Sequence, residues 1–124
     1  MITIDQIQSF CLKKELASQT FPFDNSTLVF KVLGKVFAVC PLEAWESGSP
    51  SITLKCDSIY ALELRNSYDS IRPGFHSNKK HWNTVYLSNA GFSRQFIFEL
   101  IDHSYSMVVQ NMPKKLKIQF KSHN

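Results

Sequence analysis

The run TLVFKVLGKVFAV, residues 27–39, constrains the fold more than any other stretch of this chain. Two segments rich in β-branched and aromatic residues flank Gly34-Lys35. Such residues suit a pleated, half-buried surface, and glycine supports a tight reversal. The pattern predicts a β-hairpin, with strands over residues 27–33 and over VFAV.

The flanking segments supply partners for that hairpin. Thr3 with Gln6 matches a capping box, and Ile4, Ile7, Phe10, Cys11 and Leu12 recur at helical spacing. Residues 4–17 are therefore expected as an amphipathic helix. Pro22 and the FDNS stretch break it, and Phe21 and Phe23 beside that proline are expected to plug the core. PLEAWESGSPS reads as a long turn and ITLKC as a third strand. Asp57 or Ser58 can cap a short helix over 59–67, with Leu62, Leu64 and Tyr68 on its apolar side. Pro73-Gly74 ends that region, TVYL reads as a fourth strand and SNAG as a turn. Ser93 caps the longest helix, 93–110, and Pro113 stops it. The order helix, three strands, helix, strand, helix predicts an α+β fold: an antiparallel sheet with helices packed on one face.

At 124 residues the chain is expected to form one domain, 1–124, with a core that needs no staples. Three cysteines, with no C-x-x-C, read as small buried hydrophobes in a reducing compartment rather than a disulfide framework. MITIDQIQSF has no basic n-region or long apolar core, so no signal peptide is expected. No apolar run approaches the ~20 residues that span a bilayer. A cytoplasmic monomer without membrane contact is the expectation.

Reactive constellations are missing from the pattern. There is no G-x-S-x-G elbow and no phosphate-cradling G-x-x-x-x-G-K-[ST], and Asp102-His103 are helix neighbours whose side chains diverge. His76 and His81 lie five apart with no Cys, Asp or Glu between residues 70 and 98 to complete a metal shell. No enzyme, metal or cofactor is expected.

GFHSNKKHWNTV, residues 74–85, is the densest binding chemistry in the chain. Arg72, His76, Lys79, Lys80 and Trp82 mix cations, donors and an aromatic ring, and Lys114 and Lys115 add a second basic cluster after Pro113. Phosphates need cations, and bases need stacking faces or polar side chains. The formal net charge of +4 tolerates an anionic partner without requiring one. A purely structural account competes: Asn78, His81 and Asn83 can bond the loop's own backbone and hold Trp82 in place.

FPFDNSTLVFKVLGKVFAV, LKCD followed by ALELR, IRPGFHSNKKHWNTV, LIDHSYSMVV and MPKK together resemble the MmcQ/YjbR family of small bacterial proteins. The resemblance covers most of residues 21–115, in order. It implies a frataxin-like fold and a proposed double-wing mode of DNA binding. Ser58 and Phe75 stand where the family more often has Pro and Tyr. The first helix carries Lys13 and Lys14 against Asp5 and Glu15, so the acidic iron-binding ridge of frataxins does not carry over. The resulting expectation is a DNA-binding protein. Lys79, Lys80, Lys114 and Lys115 would meet phosphate. Asn78, Asn83 and Trp82 would sit nearer the bases or shape the loop, and Arg72, His76 and His81 complete the nucleic-acid-binding set. The alternative is a small-molecule or protein-binding module. The last helix should return beside the entrance of the fourth strand, which would bring the two lysine pairs onto one surface.

Overall fold

In a computed structural model that describes residues 1–74 and 78–121, the hairpin lies within a six-stranded sheet. Strand β2 (Thr27–Val32) pairs antiparallel with β3 (Lys35–Pro41). Leu33 and Gly34 between them both take positive φ, 49° and 82°. Two such residues in a row match the twist of the flanking strands, and glycine adopts its half without strain.

The sheet grows outward on both sides. β1 (Ala17–Thr20) pairs with β2, and β4 (Ser51–Lys55) pairs with β3. β6 (Trp82–Tyr86) joins β4, and β5 (Ile71–Pro73) closes the far edge. The order is β1-β2-β3-β4-β6-β5, antiparallel throughout. Alternate residues such as Phe30, Ala38, Leu54 and Val85 point to one face. There they share a single core with Ile7 and Cys11 of α1 (Ile4–Leu12), Ala61 and Leu64 of α3 (Ser58–Ser67), and Ile97, Leu100, Ile101 and Val108 of α4 (Arg94–Gln110). These helices therefore lie on one face, as the pattern predicts. The opposite face presents the cross-strand row Val39, Thr53, Thr84 and Arg72, with the two threonine hydroxyls 2.8 Å apart.

Several local expectations are overturned. The first helix stops at Leu12 rather than reaching residue 17. Leu16 takes a φ of 61°, the Glu15 carbonyl accepts a 2.6 Å bond from Tyr105 Oη, and the chain turns to pair Ala17–Thr20 with β2. Satisfying an open strand edge outweighs extending a helix whose next apolar residue, Leu16, finds little to pack on. Phe21 and Phe23 do not plug the core: they are 44% and 79% exposed, in a turn beyond the sheet edge where the Asp24 carboxylate accepts from Ser26 N and Thr27 N. Leu62 and Tyr68 are exposed, and α3 buries Leu64, as expected, together with Ala61 one helical turn before it. The PLEAWESGSPS turn contains a short helix, α2 (Leu42–Glu46), and Trp45 Nε1 donates to the Ser51 carbonyl. Lys114–Lys117 forms a further short helix, α5.

One side chain shapes the end of the sheet. The β2–β3 register shifts between Phe30 and Lys31, leaving Phe37 as an extra residue in β3. The β3–β4 ladder then ends at the Ala38–Leu54 pair. The next pair would be Phe37 with Lys55, but the Ser104 hydroxyl stands between them. It donates to the Phe37 carbonyl at 2.6 Å and accepts from Lys55 N at 2.8 Å. Ser104 is fully buried. Its neighbour His103 accepts the Asp57 N–H through Nε2 at 3.1 Å, while the Asp57 side chain caps α3.

Two predictions test these ties. Ser104→Ala leaves a buried carbonyl and a buried N–H without their partner, so it should lower unfolding free energy by about 2 kcal/mol in urea titrations. Ser106→Ala, at an exposed position of the same helix, should stay within about 0.5 kcal/mol. The second concerns acid. Burial holds His103 below its ordinary value of 6.5, against the opposing pull of the Asp57 carboxylate. Between the folded and unfolded values the unfolded chain binds more protons, so stability rises with pH. The contribution is fully present above 6.5 and lost as pH falls through the folded-state value. His103→Gln keeps an acceptor but removes the titration. Its melting temperature should fall less than the wild type's between about pH 7 and pH 5, and equal falls would contradict the assignment.

Candidate nucleic-acid interface

The loop before β6 is built by its own backbone and by Asn78. The Asn78 side-chain Oδ1 accepts from Lys80 N at 3.0 Å, and its carbonyl accepts from His81 N and Trp82 N. Asparagine often forms such turns by bonding the backbone two residues on. Asn78 therefore shapes the loop. Gly74 N donates to the Trp82 carbonyl, and Cys56 N donates to the His81 carbonyl at 2.7 Å, tying the loop to the chain just after β4. Lys79 and Lys80 project at the exposed tip, while His81 and Trp82 are half-buried. Phe75, His76 and Ser77 fall outside the described residues, and with them the proposed role of His76.

Asn83 requires a correction. It is 2% exposed, and its Nδ2 donates to the Ala61 carbonyl at 3.3 Å. It pairs with Leu54 across the sheet, on the face that α3 covers. The period of two along β6 sends Trp82 and Asn83 to opposite faces, so Asn83 cannot reach a base. Arg72 is also apart from the rest. It is exposed on β5, donates through Nε to the Asp69 carbonyl, and stands with Asp69, Ser70 and Tyr86 around a separate concavity.

Trp82 lies directly across from Lys55. Both line an open concavity of about 340 Å³ at the end of the sheet, together with Lys35, Val36, Asn111 and Pro113. Lys79 and Lys80 lie one residue, His81, before this Trp82, and exposed Lys114 and Lys115 immediately follow this Pro113. Among the described residues, an ion pair joins Lys14 to Asp102, and none joins Lys35, Lys55, Lys79, Lys80, Lys114 or Lys115 to a carboxylate. Lys55 and Asn111 escaped notice in the sequence. Strand alternation could have placed Lys55 on the side of Thr53, but only the β4–β6 register brings it to Trp82.

The described thiols are inert. Burial pushes Cys11 and Cys56 up to about 12, and raises Cys40 well above its ordinary value. Among the described residues no group of three His, Cys, Asp or Glu side chains could hold a metal ion, and no helix is long and apolar enough to cross a membrane. The contrast between buried and exposed loop residues is testable. Asn83→Ala should cost about 1–2 kcal/mol of stability, because it empties a buried hydrogen-bonded site. Lys79→Ala with Lys80→Ala should stay within about 0.5 kcal/mol. Thermal and urea unfolding of the variants would decide both.

The same architecture occurs in known proteins. A Deinococcus radiodurans protein with a DUF419 domain has a crystal structure that superposes with a TM-score of 0.84 at 32% identity, covering 100% of this chain and 96% of that one. A Pseudomonas syringae protein gives a TM-score of 0.71 at 25% identity, over 86% of this chain and 99% of its own. By sequence, the chain is 33% identical over 121 residues to the uncharacterized protein YjbR of Escherichia coli K12, covering 95% of this chain and 99% of YjbR. It is 38% identical over 95 residues to the uncharacterized protein YbdF of Escherichia coli O157:H7, covering 77% and 75%. The YjbR family profile itself matches residues 12–107, so the chain belongs to the YjbR family.

Proposed function

We propose that this chain is a nucleic-acid-binding module rather than an enzyme, and that it takes DNA through phosphate contacts. The observation that carries the reading is a set of lysines that, among the described residues, pair with no carboxylate. Lys35 and Lys55 line the concavity beside Trp82, and Lys79, Lys80, Lys114 and Lys115 flank it in sequence. Lysines free of carboxylates can exchange counterions for phosphate, which drives most DNA binding at low salt. The protonated thiols are consistent with binding rather than covalent chemistry.

If Lys79, Lys80, Lys114 and Lys115 each neutralise one phosphate, log K should fall against log salt with a slope near about −3.6 on duplex DNA. Replacing Lys79 and Lys80 by Ala should reduce that slope by about 1.8. Fluorescence anisotropy with a labelled duplex reads both. A slope near zero, or no binding of either duplex or single strand at about 50 mM salt, overturns the proposal.

The concavity beside Trp82 supports a second reading, a module for a small anionic ligand, since pockets of about 300–1,000 Å³ with a few polar groups are usual for such ligands. A thermal-shift screen of anionic metabolites with no stabilising compound would count against it.

A further inference from the structure

Building on the nucleic-acid reading above, we infer that the Trp82 concavity seats one unpaired nucleotide, so that the preferred partner is single-stranded DNA rather than closed duplex. The argument begins with shape. Phosphate contacts alone need only an exposed basic ridge, but here the indole lines a hollow of about 340 Å³ with Val36, Met112 and three polar residues, Lys35, Lys55 and Asn111. In a duplex both faces of every base are already stacked. An aromatic side chain inside a concavity can meet a base only after that base has left the stack.

The walls suit one nucleotide in detail. The Trp82 backbone is held from two sides, since its amide N–H donates to the Asn78 carbonyl and its carbonyl accepts from Gly74 N. The main chain that carries the half-buried ring is therefore fixed before binding, which favours its use as a stacking platform. Asn111 commits its Nδ2 to the Met107 carbonyl at 2.7 Å, leaving Oδ1 to accept from a base amino or imino N–H. Lys55 opposes Trp82 across the β4–β6 pair and Lys35 comes from the neighbouring hairpin. The two ammonium groups can serve the phosphates on either side of the seated base. Lys79, Lys80, Lys114 and Lys115, on the segments beside the hollow, can serve the neighbouring nucleotides. An apolar, cationic and aromatic set of this kind tolerates any base, because every base has a π-face.

The test compares a labelled oligothymidine of about 12 nucleotides with a duplex of the same length, by anisotropy at fixed low salt. The single strand should bind about tenfold tighter or more, and Trp82→Ala should bring the ratio of the two affinities close to one. Trp82→Leu keeps an apolar side chain without a π-face and should do the same, which covers the case in which the alanine variant fails to fold by circular dichroism. Lys55→Ala should weaken strand binding with Trp82 intact. Duplex bound as tightly as the strand, or a full preference retained in Trp82→Leu, overturns the unpaired-nucleotide seat while salt-dependent binding still supports the nucleic-acid reading. Thymidine monophosphate displacing the strand at equal nucleotide concentration would make the occupant a free nucleotide and also overturn the inference. Binding of neither strand nor duplex defeats the inference together with the reading beneath it.

Discussion

A single hydroxyl sets the geometry on which the candidate site depends. Ser104 of α4 stands where β3 and β4 would form their next ladder hydrogen bond, joining the Phe37 carbonyl to the Lys55 amide through its own oxygen. The bulge at Phe37 makes this possible, because an extra residue leaves a strand carbonyl without its regular partner. A buried backbone group left unpaired would cost the full desolvation of that group, so the helix must sit where its serine reaches both strands. Val108, one turn further along α4, then lines the hollow between the strand ends, with Asn111 and Met112 following it. The concavity at Trp82 is thus a product of how α4 docks on the sheet.

The loop that leads into β6 divides its labour by register. Asn78 spends its side chain on the turn, Lys79 and Lys80 occupy the tip, and Trp82 faces the hollow. Asn83, one residue on, is pinned beneath α3. These five residues, packed close in sequence, therefore serve two purposes. Some hold the loop and the α3–β6 contact, and Lys79 and Lys80 are exposed. Lys35 and Lys55 reach the hollow beside Trp82 because antiparallel order β3-β4-β6 sets the start of β3, the end of β4 and the start of β6 side by side.

The parts of the fold legible in the sequence are those with strong local signals. The hairpin around Gly34, the Thr3–Gln6 capping box, the Asp57 cap of α3 and the Ser93 cap of α4 all stand where residue pattern and capping chemistry place them. β1 and β5 were hidden. Ala17–Thr20 begins where the helical pattern ends and is four residues long, and Ile71–Pro73 is three residues long with a proline. Each is an edge strand whose existence rests on hydrogen bonds to a single partner, the next strand along the chain. Phe21 and Phe23 misled for the related reason that apolar residues next to a core element need not lie over it. In the candidate site, Lys79, Lys80, Lys114, Lys115 and Trp82 are conspicuous by type. Lys55 and Asn111 are ordinary by type and matter only through their neighbours.

The sequence by itself determined the fold class, the family and the stretch with the richest binding chemistry. Those follow from periodicity, caps and a run of residues too unusual to arise often, all of which are local along the chain. Tertiary structure alone decided that Asn83 is buried while Trp82 is not, and that Lys55 stands across from Trp82. It also decided that the end of α4 closes the hollow between them. The reason is that a strand's two faces differ by one residue of register, and register is set by pairing with segments tens of residues away. A shift of one position would have exchanged the two sets of side chains without changing a single local signal.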